Sequence, residues 1–485
     1  MLASLAFVAL TLAAAQGPAA SQPTPTKLAI VHATVFDATG AAPKPDTTVL
    51  IEGNRIVGIG ASNEISVPGG IRVVDARGKF LIPGLWDMHI HPDDPEVLHL
   101  NPTKAEKELW LPGFVANGVT AARDMGGDLE LLKDWRARIE SGALLGPRLY
   151  FGGPLVDGPK PMWPASIAVR NADEGRAAVR DLKARGADFV KVYSLLPRDA
   201  YFAIADESMK VGIPFEGHVP DAVTNAEASD AGQRSLEHLL GMIREIADPA
   251  ALAEKRAAID PSLTRFSKRN AVIDAMLSTQ SPEREKALFA KLVANKTWIC
   301  PTLIVWNRHI WFDPKDPESR RRLPYVPAYI REWWDPEKNV HLKDLDDEFR
   351  AGERKMYARG EELVRGMQKV GIRMMTGSDM GGNPHCFAGW GIHDELRLLV
   401  KAGLTPAEAL IAASKNPAEF LGLGDRLGTI ERGKLADLVL LRADPLADIT
   451  NIGSIEAVVL NGELLDRARL DALLAKTRQR CEKRM

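Results

Sequence analysis

Short apolar runs with a two-residue period open the chain. LAIVHATVFDA, TTVLIEGNRIVGIGA and IRVVDARGKF, within residues 27–80, are rich in Val and Ile and bounded by Gly, Pro, Asn or Asp. That pattern predicts β-strands joined by turns. It returns near the other end in GTIERGKLADLVLLRADP and SIEAVVLNGELL. Neither half supplies enough strands for a stable sandwich alone. One small β-sandwich domain built from both chain ends, residues 27–80 and 425–470, is therefore expected, followed by a helical tail over 471–485.

Between them, over residues 81–424, apolar runs alternate with longer helical stretches, which predicts βα units around a parallel sheet. The candidate strands are LIPGLWDMHIH, GVTAARDMGG, RLYFGGPLV, FVKVYS, PFEGHV, RSLEHLLG, WICPTLIVW and RMMTGSD. Eight such strands point to an α/β fold of the (β/α)₈ TIM-barrel type, with its chemistry at the C-terminal strand ends. Two long insertions interrupt the pattern, at about 241–296 and 307–365. The second (WNRHIWFDPKDPESRRRLPYVPAYIREWW) reads as a substrate-covering segment.

Charge and composition narrow the partners. A net charge of −2 gives no electrostatic case for nucleic acid or an anionic membrane, so a small-molecule or peptide substrate is expected. The first 22 residues are apolar, with small residues near Ala13–Ala15, and read as a secretory signal peptide. A periplasmic or secreted protein is expected, and no later segment is long and apolar enough to span a membrane. Cys300, Cys386 and Cys481 have neither zinc-knuckle spacing nor the look of a disulfide framework. A homo-oligomer is compatible with all of this.

Side chains i and i+2 of a strand share a face. In LIPGLWDMHIHPDD, His89 and His91 therefore point the same way, about 6–7 Å apart along the strand. A lone inward histidine is usually a satisfied core residue, but two at this spacing can converge on one metal ion. Four more ionisable groups fall at strand ends: Lys191, His218, His238 and Asp379. Lys191 stands inside an apolar run. It either snorkels or pairs with an acid, or it lines the barrel mouth, where burial lowers an amine's pKa. A neutral amine there can add carbon dioxide and become an anionic carbamate.

PGLWDMHIH, GVTAARDMGG, GADFVKVYS, the GH of EGHVP, the EH of SLEHLLG, TGSD, HDELRLLVKAGLTPAEALIAASKNPAEFLGL and GTIERGKLADLVLLRADPLADI together resemble the amidohydrolase superfamily. Within it, the chain is most similar to the imidazolonepropionase-like and Xaa-Pro dipeptidase-like branch. The resemblance covers almost the whole mature chain and implies two divalent metal ions, usually zinc. His89, His91 and Asp379 would hold the first ion and His218 and His238 the second. A Lys191 N6-carboxylated by carbon dioxide would bridge them, together with a hydroxide. The implied activity is hydrolysis of amide C–N bonds in dipeptides, including Xaa-Pro, or in N-acyl amino acids. Asp379 would take the water's proton and pass it to the leaving amine.

The main alternative within the superfamily is a mononuclear deaminase. Those enzymes carry a glutamate a few residues beyond the strand-five histidine, but His218 is followed by Val219, Pro220 and Asp221. An imidazolone-type cyclic-amide hydrolase, a lactonase or an organophosphate-type esterase stays open on the same site. The intact ligand set speaks against a non-catalytic metal-binding scaffold. Tyr193 and Arg123 are candidate substrate contacts, with a barrel-layer aromatic and an ion pair to Asp124 as their structural readings. His385, in the loop after Asp379, and His393, opening a helical run, are further candidates. His99, His309, His341 and the arginines of 320–322 are expected in solvent, and His32 is expected to be structural.

Overall fold

The computed structural model describes residues 27–93, 99–311, 313, 315–339, 342 and 345–482. The expected leader and His341 lie outside the described residues. In chain order the strands are β1 (Lys27–Val35), β2 (Lys44–Glu52), β3 (Arg55–Ala61), β4 (Arg72–Asp75), β5 (Phe80–Pro83), β6 (Leu85–Ile90), β7 (Val119–Asp124), β8 (Arg148–Phe151) and β9 (Val156–Asp157). They continue with β10 (Ile167–Ala168), β11 (Val190–Val192), β12 (Phe215–Gly217), β13 (Ser235–Glu237), β14 (Trp298–Cys300), β15 (Leu438–Leu441), β16 (Ile455–Leu460) and β17 (Glu463–Asp466).

Both chain ends build one unit. Its order is β17-β16-β15-β5-β1-β2-β3, with β4 also beside β1. The two facing sheets of a sandwich were expected, but the strands form one continuous hydrogen-bonded sheet. The reason is that β1 changes partners: β2 runs along one edge, while β4 and then β5 share the other. The antiparallel β5–β15 ladder then joins the two chain ends. Ile30, Val35, Val49, Leu81, Leu438 and Val459 share one apolar cluster in this unit.

The central strands form two parallel sheets, β6-β7-β8 and β10-β9-β11-β12-β13-β14. Beside β8, the Asp188 N–H donates to the Phe151 carbonyl (3.0 Å). At the other side, RMMTGSD lies between β14 and β6. It bridges β14 in parallel through Ile299–Met374, and Met380, just after it, bridges β6 through Ile90. This run was expected as a full strand, but Gly377 and the left-handed backbone of Asp379 (φ 50°) limit it to isolated bridges. Helices fall between the strands, as in Ala172–Arg185 before β11. Asn171 caps that helix by accepting from the Glu174 N–H, and left-handed Gly186 ends it.

The first central run was also expected as one strand, and it is two. β5 belongs to the terminal sheet and β6 to the parallel one, with the break at Gly84. A Cβ there would lie 2.2 Å from Thr120 Oγ1, so only glycine lets the chain cross from one sheet to the other. The two insertions are helical, with Met242–Ile246, Pro249–Ala257, Arg265–Ser278 and Pro282–Ala294 in the first. The tail helix begins at Arg467, earlier than expected. Among the described residues no helix is long and apolar enough to cross a membrane.

Candidate metal centre

Strand ends converge on a cavity of about 240 Å³ lined by His89, His91, Tyr193, His218, His238 and Asp379. Asp379 Oδ1 lies 3.3 Å from His91 Nε2 and 3.5 Å from His89 Nε2. The His238 ring is centred 4.6 Å from His89 and 4.8 Å from His218. One ligand atom each from His89, His91 and Asp379 lie within 4.8 Å of one another, close enough to share a cation. Leu155, Trp163, Leu240, Val305, Trp306 and Asn383 complete the wall.

All four imidazoles are held by Nδ1. His89 Nδ1 meets Glu237 Oε2 at 2.8 Å, and His91 Nδ1 meets the Gly126 carbonyl at 3.2 Å. His218 Nδ1 pairs with Ser194 Oγ (2.8 Å) and His238 Nδ1 with Thr302 Oγ1 (2.6 Å). A carboxylate and a carbonyl only accept, so the neutral rings of His89 and His91 carry their proton on Nδ1 and keep the Nε2 lone pair for a ligand. Metal-binding histidines are oriented in this way by the partner of their other nitrogen.

The backbone is bent to place these groups. His238 (φ 62°), Thr302 (φ 44°) and Asp379 (φ 50°) all occupy the left-handed region at strand ends, a conformation that clusters at functional sites. Gly217, just before His218, has φ 128°, and a Cβ there would meet the Val192 carbonyl at 2.4 Å and Lys191 Cδ at 2.7 Å.

Lys191 is fully buried, and its Nζ has no hydrogen-bond partner among the described residues. Burial brings the amine down to about 8. A buried amine without an acceptor is costly, and the neutral form that burial favours is the one that reacts with carbon dioxide. Burial, and then the Lys191 charge, hold His89 and His218 well below the ordinary imidazole range. Burial brings His238 down to about 4. Burial alone would raise Asp379, but the surrounding histidines outweigh it and hold the carboxyl well below its usual range. His89, His218 and His238 are therefore neutral imidazoles and Asp379 a carboxylate at neutral pH, a donor set that suits a divalent cation such as zinc.

The amidohydrolase family profile matches residues 80–465, a span that contains every residue of this cluster. The chain belongs to the amidohydrolase family. It is similar to the imidazolonepropionase of Thermoplasma volcanium, with 39% identity over 79 residues, 15% of this chain and 20% of that protein. The imidazolonepropionase of Desulfotalea psychrophila is 30% identical over 118 residues, 23% of this chain and 26% of that one. The matched stretches thus span only about a fifth to a quarter of these relatives. Among solved structures, a Xaa-Pro dipeptidase with methionine bound in its active site superposes with TM-score 0.65 at 19% identity, covering 91% of this chain and 100% of that one. Bottromycin amidohydrolase gives 0.70 at 21%, covering 95% and 91%. At such identities the likeness is one of fold.

Of the weaker candidates in this family member, Tyr193 lies at the cavity, stacked 4.1 Å from the His218 ring, and its oxygen accepts from Trp163 Nε1 (3.0 Å). Arg123 does not contact the cavity, nor does it pair with Asp124. It is fully buried beneath the site, where it donates to the Met88 carbonyl, Glu216, Ser235 and Glu237. A guanidinium sealed in the core must be satisfied there. His385 packs against Trp334 and Phe387 outside the cavity wall. Arg322, expected in solvent, is buried on Asp394. Val305 and Trp306, on the helix Leu303–Ile310 that leads into the second insertion, line the cavity, and no described residue of 307–365 does.

His393 is also placed away from the site. It is buried on the helix Trp390–Ala402, and its Nε2–H donates to the Asn117 carbonyl (2.9 Å). Burial brings it down to about 4 from an ordinary 6.5. Between those values the unfolded chain binds the proton and the folded one does not, so stability falls as pH drops from 6.5 towards 4. His393→Gln is expected to remove about 3 kcal/mol of that loss, measured by urea unfolding at pH 7 and pH 4.

Sequence reading missed Glu237, Ser194 and Thr302, which orient His89, His218 and His238. Glu237 carried a usable signal, an acid inside a buried strand next to a candidate ligand. The two hydroxyl residues carried none.

Proposed function

We propose that this chain hydrolyses amide C–N bonds of dipeptides, including Xaa-Pro, or of N-acyl amino acids, at a site for two divalent cations, zinc being the proposed metal. The observation that carries the reading is the convergence of four Nδ1-anchored imidazoles and the Asp379 carboxylate on one cavity, with the buried, unpartnered Lys191 amine 5.9 Å from the ring of Tyr193 in its wall. The proposal takes the two parallel sheets, joined through RMMTGSD, as a (β/α)₈ barrel beside a domain built from both chain ends. A periplasmic or secreted location belongs to it as well and rests on the leader-like first 22 residues.

His89, His91 and Asp379 would hold one cation, and His218 and His238 the other, with N6-carboxylated Lys191 between them. Such ions, when bound, supply an acidified water and a Lewis acid for the substrate carbonyl. The chain's own groups do the rest. Asp379 is ionised at neutral pH and placed to accept the attacking water's proton and return it to the leaving amine. Tyr193 is the proposed donor to the carbonyl oxygen as charge develops there. Trp163, Leu155 and Trp306 keep the wall apolar and limit water.

The test is metal content and turnover in the full chain supplied with zinc and bicarbonate, beside Lys191→Ala. About two ions per chain in the parent and one or fewer in the variant are expected, with metal-dependent turnover of a dipeptide and N-acyl amino acid panel. One ion in both proteins would instead favour the mononuclear deaminase. The imidazolonepropionase relatives favour a second reading, hydrolysis of a cyclic amide, and an imidazolone in the panel decides between the two.

A further inference from the structure

Helix Leu303–Ile310 starts in an unusual way. The first amides of any helix have no acceptor within it. The N-cap residue ordinarily takes one of them with its side chain, from an extended backbone. Here the N-cap is Thr302, which is fully buried, lies in the left-handed region (φ 44°, ψ 49°) and makes no side-chain cap bond. A β-branched residue rarely adopts that conformation, and it persists only where the surroundings impose it. Its hydroxyl instead meets His238 Nδ1 at 2.6 Å. The group that would cap the helix is turned to a candidate metal ligand.

The cap comes from another helix. Glu395, on Trp390–Ala402, is fully buried and accepts from the Leu303 N–H (3.0 Å) and the Ile304 N–H (2.8 Å). The second of these is an amide that a threonine cap in the ordinary conformation would take. Leu303 and Ile304 are buried too, and a buried N–H left without an acceptor is costly. The adjacent Asp394 holds the other end of the same short helix, where the Arg308 guanidinium donates to it (2.6 Å). The two acids thus fix both ends of the helix that carries Val305 and Trp306 of the cavity wall. Gly377 closes on Thr302 from the side, where a Cβ would lie 3.1 Å from Thr302 Cγ2. Burial raises Glu395 to about 8 against its two amide bonds. Carboxyl oxygens accept in either protonation state, whereas the nitrogen of a glutamine amide only donates.

We propose that Glu395 is a positioning residue for His238. By taking both leading amides it holds Thr302 in the left-handed conformation and leaves the hydroxyl to anchor the imidazole. Without that carboxyl, Thr302 relaxes to an extended backbone and caps its own helix, and the His238 ring loses its anchor. The proposal rests on the proposed function only for the role of His238 as a metal ligand.

The experiment measures zinc affinity of the full chain by chelator competition, in the parent, Glu395→Gln, Thr302→Ala and the double variant. Each single variant is expected to hold its weaker zinc about tenfold less tightly, as when a ligand's supporting partner is removed. The double variant is expected to lose no more than about twofold beyond Thr302→Ala, because Glu395 acts through that hydroxyl. Glu395→Asp keeps two acceptor oxygens and should recover part of the affinity. It takes the place of Glu395→Gln in the cycle if the latter does not fold. Losses that add in full, or an unchanged affinity in Glu395→Gln, overturn the proposal, since a helix cap alone would lower only the melting temperature. A second readout needs no metal. In nitrogen-NMR spectra of the histidine-labelled, zinc-free chain, the His238 ring signal is identified by its absence in His238→Gln. It is expected to move in Glu395→Gln as it does in Thr302→Ala, and a signal that stays at the parental position overturns the proposal. If the parent binds fewer than two ions, the two-cation reading fails, while these spectra still decide the role of Glu395.

Discussion

Asp379→Asn is expected to lower kcat/KM for amide hydrolysis by at least about 10³-fold, with the fold intact. The substitution keeps the side chain's size and removes its charge and its basicity. Asparagine tolerates the left-handed backbone at this position (φ 50°), so no strain is added. The backbone bond from the Asp379 N–H to the His89 carbonyl (2.7 Å) is unaffected. Ser378 also stays in place, because its N–H donates to Asp87 Oδ1 (2.9 Å). Burial raises Asp87 to about 7 without removing that acceptor. Kinetics, metal content and melting temperature together make the test. A variant that keeps its metal and melts like the parent but turns over at more than a tenth of the parental rate would remove Asp379 from proton transfer.

Arg123→Met is expected to cost about 3–5 kcal/mol of stability in the metal-free protein, read by urea unfolding. Arg123 is the shared cation for Glu216 (2.6 Å) and Glu237 (2.9 Å), and both acids are fully buried. Burial alone would raise Glu237, and Arg123 and Lys191 together hold it low. Removing Arg123 leaves Glu237 with only the Lys191 charge and Glu216 with only Arg234, 3.9 Å away. Glu237 would then take a proton and lose its grip on His89 Nδ1, so zinc affinity should also fall about 10–100-fold. Unchanged stability would mean that the network is not what holds the floor of the site. The conservative Arg123→Lys cannot serve all four acceptors and should fall between the two.

Much of the site was legible before any coordinates, and for a simple reason. The strand period puts His89 and His91 on one face, and the ends of later central strands carry one chemically odd residue each. What could not be read was how those residues are supported. Ser194, Thr302 and the Gly126 carbonyl meet their histidines across 24, 64 and 35 residues, and nothing in their local sequence marks them. Arg123 was misread because its true partners, Glu216 and Glu237, lie 93 and 114 residues away, whereas Asp124 is adjacent. His393 sits on a helix whose periodicity was clear, but periodicity does not reveal which neighbour receives a ring nitrogen. The split between β5 and β6 was hidden for a different reason. An unbroken apolar run is the same in one sheet as in two, and Gly84 alone records the crossing.

The β5–β15 ladder bears on how the molecule comes together in time. Phe80–Pro83 pairs with Leu438–Leu441, so the centre of the terminal sheet stays half-built until residue 441 has been made. The β1–β2–β3 meander is local and can form early, whereas β5 must keep one edge open across the synthesis of every central strand. Contacts this distant in sequence form slowly, and an open strand edge invites pairing with another chain in the meantime. Because β6 follows β5 after a single glycine, the strand bearing His89 is anchored to the sheet that closes last. Assembly of the candidate metal site is thereby tied to the arrival of Leu438–Leu441, which makes the finished site a record that these residues have been made.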